Sequence, residues 1–185
     1  MTAVHLTGPR LVLREIEPGD ADALLDIYGD PAVTRHLSFG PCTPEQVDLI
    51  VERSIAGAAE EPRTEYSLAV ARVDRHELIG SVRLATERQR AASIGFALHP
   101  AVWGQGFGPE AVALLCALGF DHLGLHRLWA ARSPLNEASA RTLLRAGMTQ
   151  EGRIRDHFLV DGVWRDSITY SILEQEWAPI SGQWS

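Results

Sequence analysis

Three glycines at alternate positions, Gly104, Gly106 and Gly108, stand where an apolar strand-like stretch gives way to an apolar helical one. Glycine reaches dihedrals that other residues avoid and lets a ligand approach the main chain with no Cβ between them. The turn reads His99-Pro100-Ala101-Val102-Trp103-Gly104-Gln105-Gly106-Phe107-Gly108-Pro109-Glu110-Ala111. It leads into a helix N-terminus, where unpaired N–H groups and the macrodipole favour an anion. A pyrophosphate suits such a turn. Pro109 fits the first helical turn because it lacks an N–H that would need a partner. The plain alternative is a tight strand-to-helix turn with no ligand. A Walker A loop is excluded, because it needs Lys and all 17 basic residues here are Arg. A dinucleotide-binding Gly-x-Gly-x-x-Gly pattern fits poorly: from Gly104 the third glycine would fall on Pro109.

The elements that must hold this turn can be read on either side of it. Leu11–Ile16 alternates weakly as a first strand, and Pro18-Gly19-Asp20 breaks it and caps a helix through Tyr28. Thr43-Pro44-Glu45 starts a second helix, with Val47, Ile50, Val51 and Ile55 at helical spacing. Tyr66–Val73, Glu77–Ala85 and Ala92–Leu98 are three strands of an antiparallel meander. Pro109–Phe120 has the composition of a buried helix, and His126–Arg132 is a further strand. Asn136–Ala146 is a helix with Asn136 as N-cap and Gly147 just past its end. Arg153–Val160, the turn Asp161-Gly162 and Val163–Leu173 form a closing hairpin. The order β-α-α-β-β-β-α-β-α-β-β predicts an α/β (mixed α+β) fold, one domain over residues 1–185 with helices on both faces of a mixed sheet.

Composition narrows the function classes. Net charge is −7 over 185 residues, which argues against a nucleic-acid partner. It is compatible with a cationic substrate, although solubility alone accounts for it. No apolar run approaches the roughly 18 residues of a membrane span, and Met1-Thr2-Ala3-Val4-His5 lacks a signal pattern. Cys42 and Cys116 supply neither a disulfide framework nor a metal site, so a reduced, cytoplasmic setting is the default.

Trp103-Gly104-Gln105-Gly106-Phe107-Gly108 resembles the acyl-CoA pyrophosphate loop of GNAT acetyltransferases, Arg/Gln-x-x-Gly-x-Gly/Ala, with Trp103 at the first place. That Trp is usual in the RimJ/RimL-type branch, which acetylates ribosomal-protein N-termini. Leu11-Val12-Leu13-Arg14, Asp20, Asp30-Pro31 and Ile94-Gly95-Phe96 are similar to that branch's opening half. Asn136-Glu137-Ala138-Ser139, Gly147-Met148, Asp161-Gly162, Asp166 and Glu176-Trp177 follow its closing half. The resemblance implies a GNAT fold with a central sheet of about six to seven strands. It implies acetyl-CoA (coenzyme A) as co-substrate, no metal, and transfer of the acetyl group to an amine.

Residue by residue, the resemblance places the pyrophosphate on N–H groups of Gln105, Gly106, Phe107 and Gly108 and of Glu110, beside Trp103, Gly104 and Pro109. Phe96, Ala97 and Leu98 lie on a strand that pairs with the pantetheine arm, and the Leu98 N–H polarises the thioester carbonyl. Asn136 either contacts the pantetheine or caps its helix. Many relatives protonate the leaving thiolate with a Tyr seven residues after that Asn; here that position is Leu143. Ser139 takes the role by resemblance, its plain alternative being a polar residue early in a helix. The base is open: Ser93 stands where relatives often have Glu, leaving His36, His99 and Asp166, of which His36 reads more simply as a surface residue and Asp166 as a structural hydrogen-bond acceptor. His36, Phe39 and Trp103 are candidates to line the acceptor pocket. Without a carboxylate base, a protein or peptide N-terminal amine is favoured over Lys, whose neutral form costs roughly 3.4 kcal/mol more to present. A small-molecule or antibiotic acetyltransferase, and a non-catalytic acyl-CoA-binding module, are the competing readings. The expected partners are an amine acceptor and a second copy of the chain, with no nucleic acid and no membrane.

Overall fold

Eight strands join in one sheet: β1 (His5–Thr7), β2 (Leu11–Glu15), β3 (Glu65–Arg72), β4 (Leu78–Glu87), β5 (Ala91–Leu98), β6 (Arg127–Arg132), β7 (Thr149–Val160) and β8 (Val163–Leu173). The computed structural model describes residues 3–160 and 162–178. The turn residue Asp161 lies outside the described residues. The strand order is β1-β2-β3-β4-β5-β6-β8-β7, and the pairing is antiparallel everywhere except between β5 and β6. A parallel pair needs a crossover, and here it is α4 (Phe107–Ala117).

Helices cover both faces. On one, α1 (Ala21–Tyr28), α2 (Pro31–Thr34) and α3 (Pro44–Ala58) pack through Leu24, Val47 and Val51 on Ala69, and through Ile27 and Val33 on Ala97. On the other, α4 and α5 (Glu137–Arg145) meet Leu68, Val70, Ile94 and Leu98. The alternation Leu68, Ala69, Val70 is the pleat that makes one strand serve two cores. Nine of the eleven α4 residues are buried, so this helix is apolar all round. The caps read from sequence are present. Thr43 Oγ1 accepts the Gln46 N–H, Asn136 Oδ1 accepts the Ser139 N–H at 3.0 Å, and Gly147 takes φ +85° after α5.

The structure corrects several boundaries. The eighth strand is β1, three residues long at the sheet edge and too short to show a period. β7 begins at Thr149, earlier than the expected Arg153. Helix α4 begins at Phe107, two residues before Pro109, because Gly106 at φ +82° turns the chain and serves as N-cap. Its end widens into a π-turn, Leu118–His122, where the Leu123 N–H donates to the Leu118 carbonyl at 3.0 Å. No helix among the described residues is long and apolar enough to cross a membrane.

Candidate active site

Strands β5 and β6 pair only at their beginnings, Ala91 with Arg127, Ala92 with Leu128 and Ser93 with Trp129. Beyond that point they splay, and Ile94–Leu98 faces Ala130–Arg132 across a cavity of about 450 Å³. The gap lies at the carboxyl ends of the parallel pair, where the turn after β5 delivers the α4 N-terminus. The cavity passes through the sheet. Gly104, Gly106, Gly108 and α5 line it on one side, and Ala32, Val33, Arg35, His36 and Leu37 line it on the other.

The ladder decides which backbone groups reach this gap. The His99 N–H donates to the Ile79 carbonyl at 2.8 Å, so Ala97 and Gly95 bond toward β4 as well. Alternation then turns the amides of Phe96 and Leu98 toward the splay. The Leu98 carbonyl is taken by the Trp103 indole N–H at 2.8 Å, which leaves the Leu98 N–H as a donor aimed into the cavity.

In the turn, Gly104 and Gly106 have φ +75° and +82°, a region that other residues seldom adopt. A Cβ at Gly108 would come within 3.1 Å of Thr142 on α5, so this glycine permits the close approach of α4 and α5. Pro109 is the third residue of α4, still in the first turn, where its missing N–H leaves nothing unpaired. Phe96, Ala97, Leu98, Trp103, Phe107 and Pro109 all line the cavity; the side chains of Gln105 and Glu110 do not.

An acidic residue in a first helical turn is expected to serve its own helix N-terminus, but the Glu110 carboxylate is spent on the start of β2. It is 0% exposed, and Oε1 accepts the N–H groups of Arg10 at 2.8 Å and Leu11 at 3.0 Å. Oε2 accepts from Arg10 Nε at 2.8 Å. Arg10 in turn donates to the Gln105 carbonyl at 3.0 Å and lies over the Phe107 ring at 4.4 Å. This Arg10–Glu110 clamp ties the glycine turn to the start of β2. The one signal for it in sequence was an acidic residue inside an otherwise apolar helix.

On α5, Asn136 and Ser139 line the cavity, as does Leu143, which is 1% exposed and part of the core. The Ser139 hydroxyl makes no hydrogen bond to another described residue. Of the base candidates, only His36 lines the cavity. Its imidazole is held below the ordinary range, by burial first and then by the positive charges of Arg35 and Arg165. His99 Nδ1 accepts the Ala101 N–H at 3.2 Å, capping the turn that follows β5. Asp166 accepts the Asp156 N–H at 2.9 Å and pairs with Arg153, which together hold its carboxyl below the usual range. Both serve structure, as does Phe39, which packs edge-on against Tyr28 at 5.7 Å outside the cavity lining. Cys116 offers no nucleophile: burial pushes its thiol up to about 12. Among the described residues no three His, Cys, Asp or Glu side chains converge to hold a metal.

This geometry has known counterparts. A family model described as an Acetyltransferase (GNAT) domain matches residues 10–149. The chain is 31% identical over 171 residues to the N-acetyltransferase YoaA of Bacillus subtilis, covering 91% of this chain and 96% of that one. It is 26% identical over 191 residues to the [ribosomal protein uS5]-alanine N-acetyltransferase of Escherichia coli, covering 95% and 94%. In fold it is similar to a GNAT-family acetyltransferase from Bacillus anthracis, with TM-score 0.83, 24% identity, and 93% and 99% covered. A spermidine N-acetyltransferase from Vibrio cholerae, solved with CoA and spermine, superposes with TM-score 0.77 at 20% identity, covering 91% and 98%. The glycine turn, the splayed parallel strands and these likenesses converge, and the chain belongs to the GNAT family as an acetyl-CoA-dependent N-acetyltransferase.

Proposed function

We propose that the acceptor is a protein or peptide N-terminal amine, as in the RimJ/RimL-type branch. The observation that carries this reading is the base available to the cavity. His36 is the one candidate that lines it, and its imidazole is a weaker base than usual. A weak base suits an α-amine, which titrates near 7.7–8.0, far better than a Lys side chain near 10.4. The likeness to an enzyme that acetylates a ribosomal-protein alanine supports the same class. A small-molecule amine is the second reading, favoured by the fold shared with the spermidine enzyme.

The unpaired N–H groups of Gly106, Phe107 and Gly108 at the start of α4 hold the pyrophosphate of acetyl-CoA, with Gln105 and Glu110 beside them. The pantetheine arm lies along β5 at Phe96–Leu98 as a stand-in for the missing partner strand, with Asn136 flanking it. The neutral amine attacks the thioester carbonyl carbon and a C–N bond forms, while the Leu98 N–H stabilises the oxyanion. The C–S bond then breaks. The thiolate takes a proton from Ser139 Oγ, which water resupplies, and the amine proton leaves to His36 or water. The products are the amide and free CoA.

A peptide with a free N-terminus, and the same peptide N-terminally blocked but carrying an internal Lys, are offered in competition at neutral pH. The free N-terminus is acetylated at least about tenfold faster. Equal rates would contradict the α-amine assignment.

A further inference from the structure

The chain carries 24 acidic and 17 basic residues, yet its cavity is lined by four arginines and by no Asp or Glu among the described residues. Two of the four, Arg141 and Arg145, flank Thr142, which abuts the glycine turn, so they belong to the acetyl-CoA side. A third, Arg132, is committed elsewhere: it donates to the Tyr170 hydroxyl and to the carbonyls of Ser133 and Pro134. The fourth, Arg35, stands at the opposite mouth, directly after α2, next to His36. The charge of Arg165, on β8, also reaches His36. The guanidinium groups of Arg35 and Arg165 have no hydrogen-bond or ion-pair partner among the described residues, as is also true of Arg53, Arg88, Arg141, Arg145 and Arg155, whereas Arg10, Arg14, Arg63, Arg83, Arg127 and Arg153 are each paired with a carboxylate. In a chain with surplus acid, the unpaired guanidinium of Arg35 at that mouth, with the charge of Arg165 near enough to act on His36, forms a local positive field against the global sign.

That mouth is the acceptor's. Helix α2 packs through Val33 on the Ala97 face of the sheet, and the glycine turn and α5 lie on the other face. Molecules that enter from the two sides meet at the splay, beside Leu98. We propose that the acceptor carries a negative charge close to its reactive amine, held by Arg35 and Arg165. This inference rests on the acetyltransferase reading and narrows its substrate class to anionic amines. Polyamines are excluded: a polycation would face cations on its way in, with no carboxylate lining the cavity to receive it. The charge can come from an acidic side chain beside a peptide N-terminus or from the carboxylate of a free amino acid.

The test compares kcat/KM, read as thiol release at saturating acetyl-CoA, for peptides beginning Ala-Glu-Glu and Ala-Arg-Arg, for alanine and alaninamide, and for spermidine. The acidic peptide exceeds the basic one by about tenfold or more, and rising salt erodes the gap. A further excess of alanine over alaninamide identifies a free amino acid as the source of the charge. A preference confined to the peptides identifies the side chain. The double variant Arg35→Gln/Arg165→Gln loses the preference, through a raised acceptor KM rather than a lowered kcat. Arg35→Glu/Arg165→Glu inverts it. Faster turnover of the basic peptide or of spermidine, or a preference that survives the double variant, would overturn this inference and leave the acetyltransferase reading intact. Acetyl-CoA binding with no amine acetylated at all would overturn both.

Discussion

Ser139 donates its N–H to the Asn136 side chain at 3.0 Å, while its hydroxyl bonds no other described residue and lines the cavity. Thr142, one turn on, shows the ordinary fate of a helical hydroxyl, donating to the Ala138 carbonyl at 3.1 Å. A free hydroxyl at the cavity wall, with Leu143 packed into the core, is the arrangement expected of a thiolate-protonating Ser. Ser139→Ala should lower kcat by about 10- to 100-fold with little change in the apparent acetyl-CoA constant. Unchanged turnover, where chemistry limits the rate, would leave Ser139 with only a structural place on the helix. The cap at Asn136 is legible in sequence because capping is local, settled within three positions, whereas Ser139 was singled out by the family resemblance alone. His99 and Phe39 were not separable there, while Asp166 already read as a structural hydrogen-bond acceptor, though without its partners. Each has a polar or aromatic character that fits a site, and only the fold shows them spent on a turn cap, on Tyr28 and on Arg153.

Helix α4 is the element on which the site depends, and its anchor is the Arg10–Glu110 clamp. A fully buried carboxylate accepting two backbone N–H groups and one guanidinium N–H leaves few lone-pair sites free. In Glu110→Gln one amide oxygen cannot serve all three donors, and the new NH₂ faces Arg10. The expected loss is about 2–4 kcal/mol in urea unfolding, together with weaker acetyl-CoA binding as the turn loosens. A variant as stable as the parent would show that the clamp contributes nothing. The meander, the two long caps and the closing hairpin were readable because period and capping are properties of a few consecutive residues. The clamp was not, since its partners lie 100 positions apart. β1 was missed because three residues make no period, and the start of α4 because Gly106 in a left-handed conformation does the capping that a Ser or Asp usually announces.

At the scale of the molecule, a sheet that is antiparallel throughout except at one pair opens at that pair alone. Groups on opposite faces of the sheet thereby line one passage, which carries four arginines and no Asp or Glu among the described residues although the chain has a net charge of −7. Net charge is a sum over the surface, so the sequence could not reveal which residues the fold brings to the cavity. The account turns on the α4 N-terminus as an anion seat, and an isosteric pair at Gly106 tests it. Asn and Asp are the side-chain-bearing residues that best tolerate positive φ and both cap helices, so the two variants share the same backbone strain and differ in charge. Arg10 Nη2 lies 3.3 Å from where the new Cβ would stand, a close approach that both variants share. Calorimetric titration with acetyl-CoA should show Gly106→Asn within a few-fold of the parent and Gly106→Asp weakened by at least about tenfold, since a carboxylate already fills the seat. Equal affinity of the two folded variants would contradict the pyrophosphate assignment on which the rest stands.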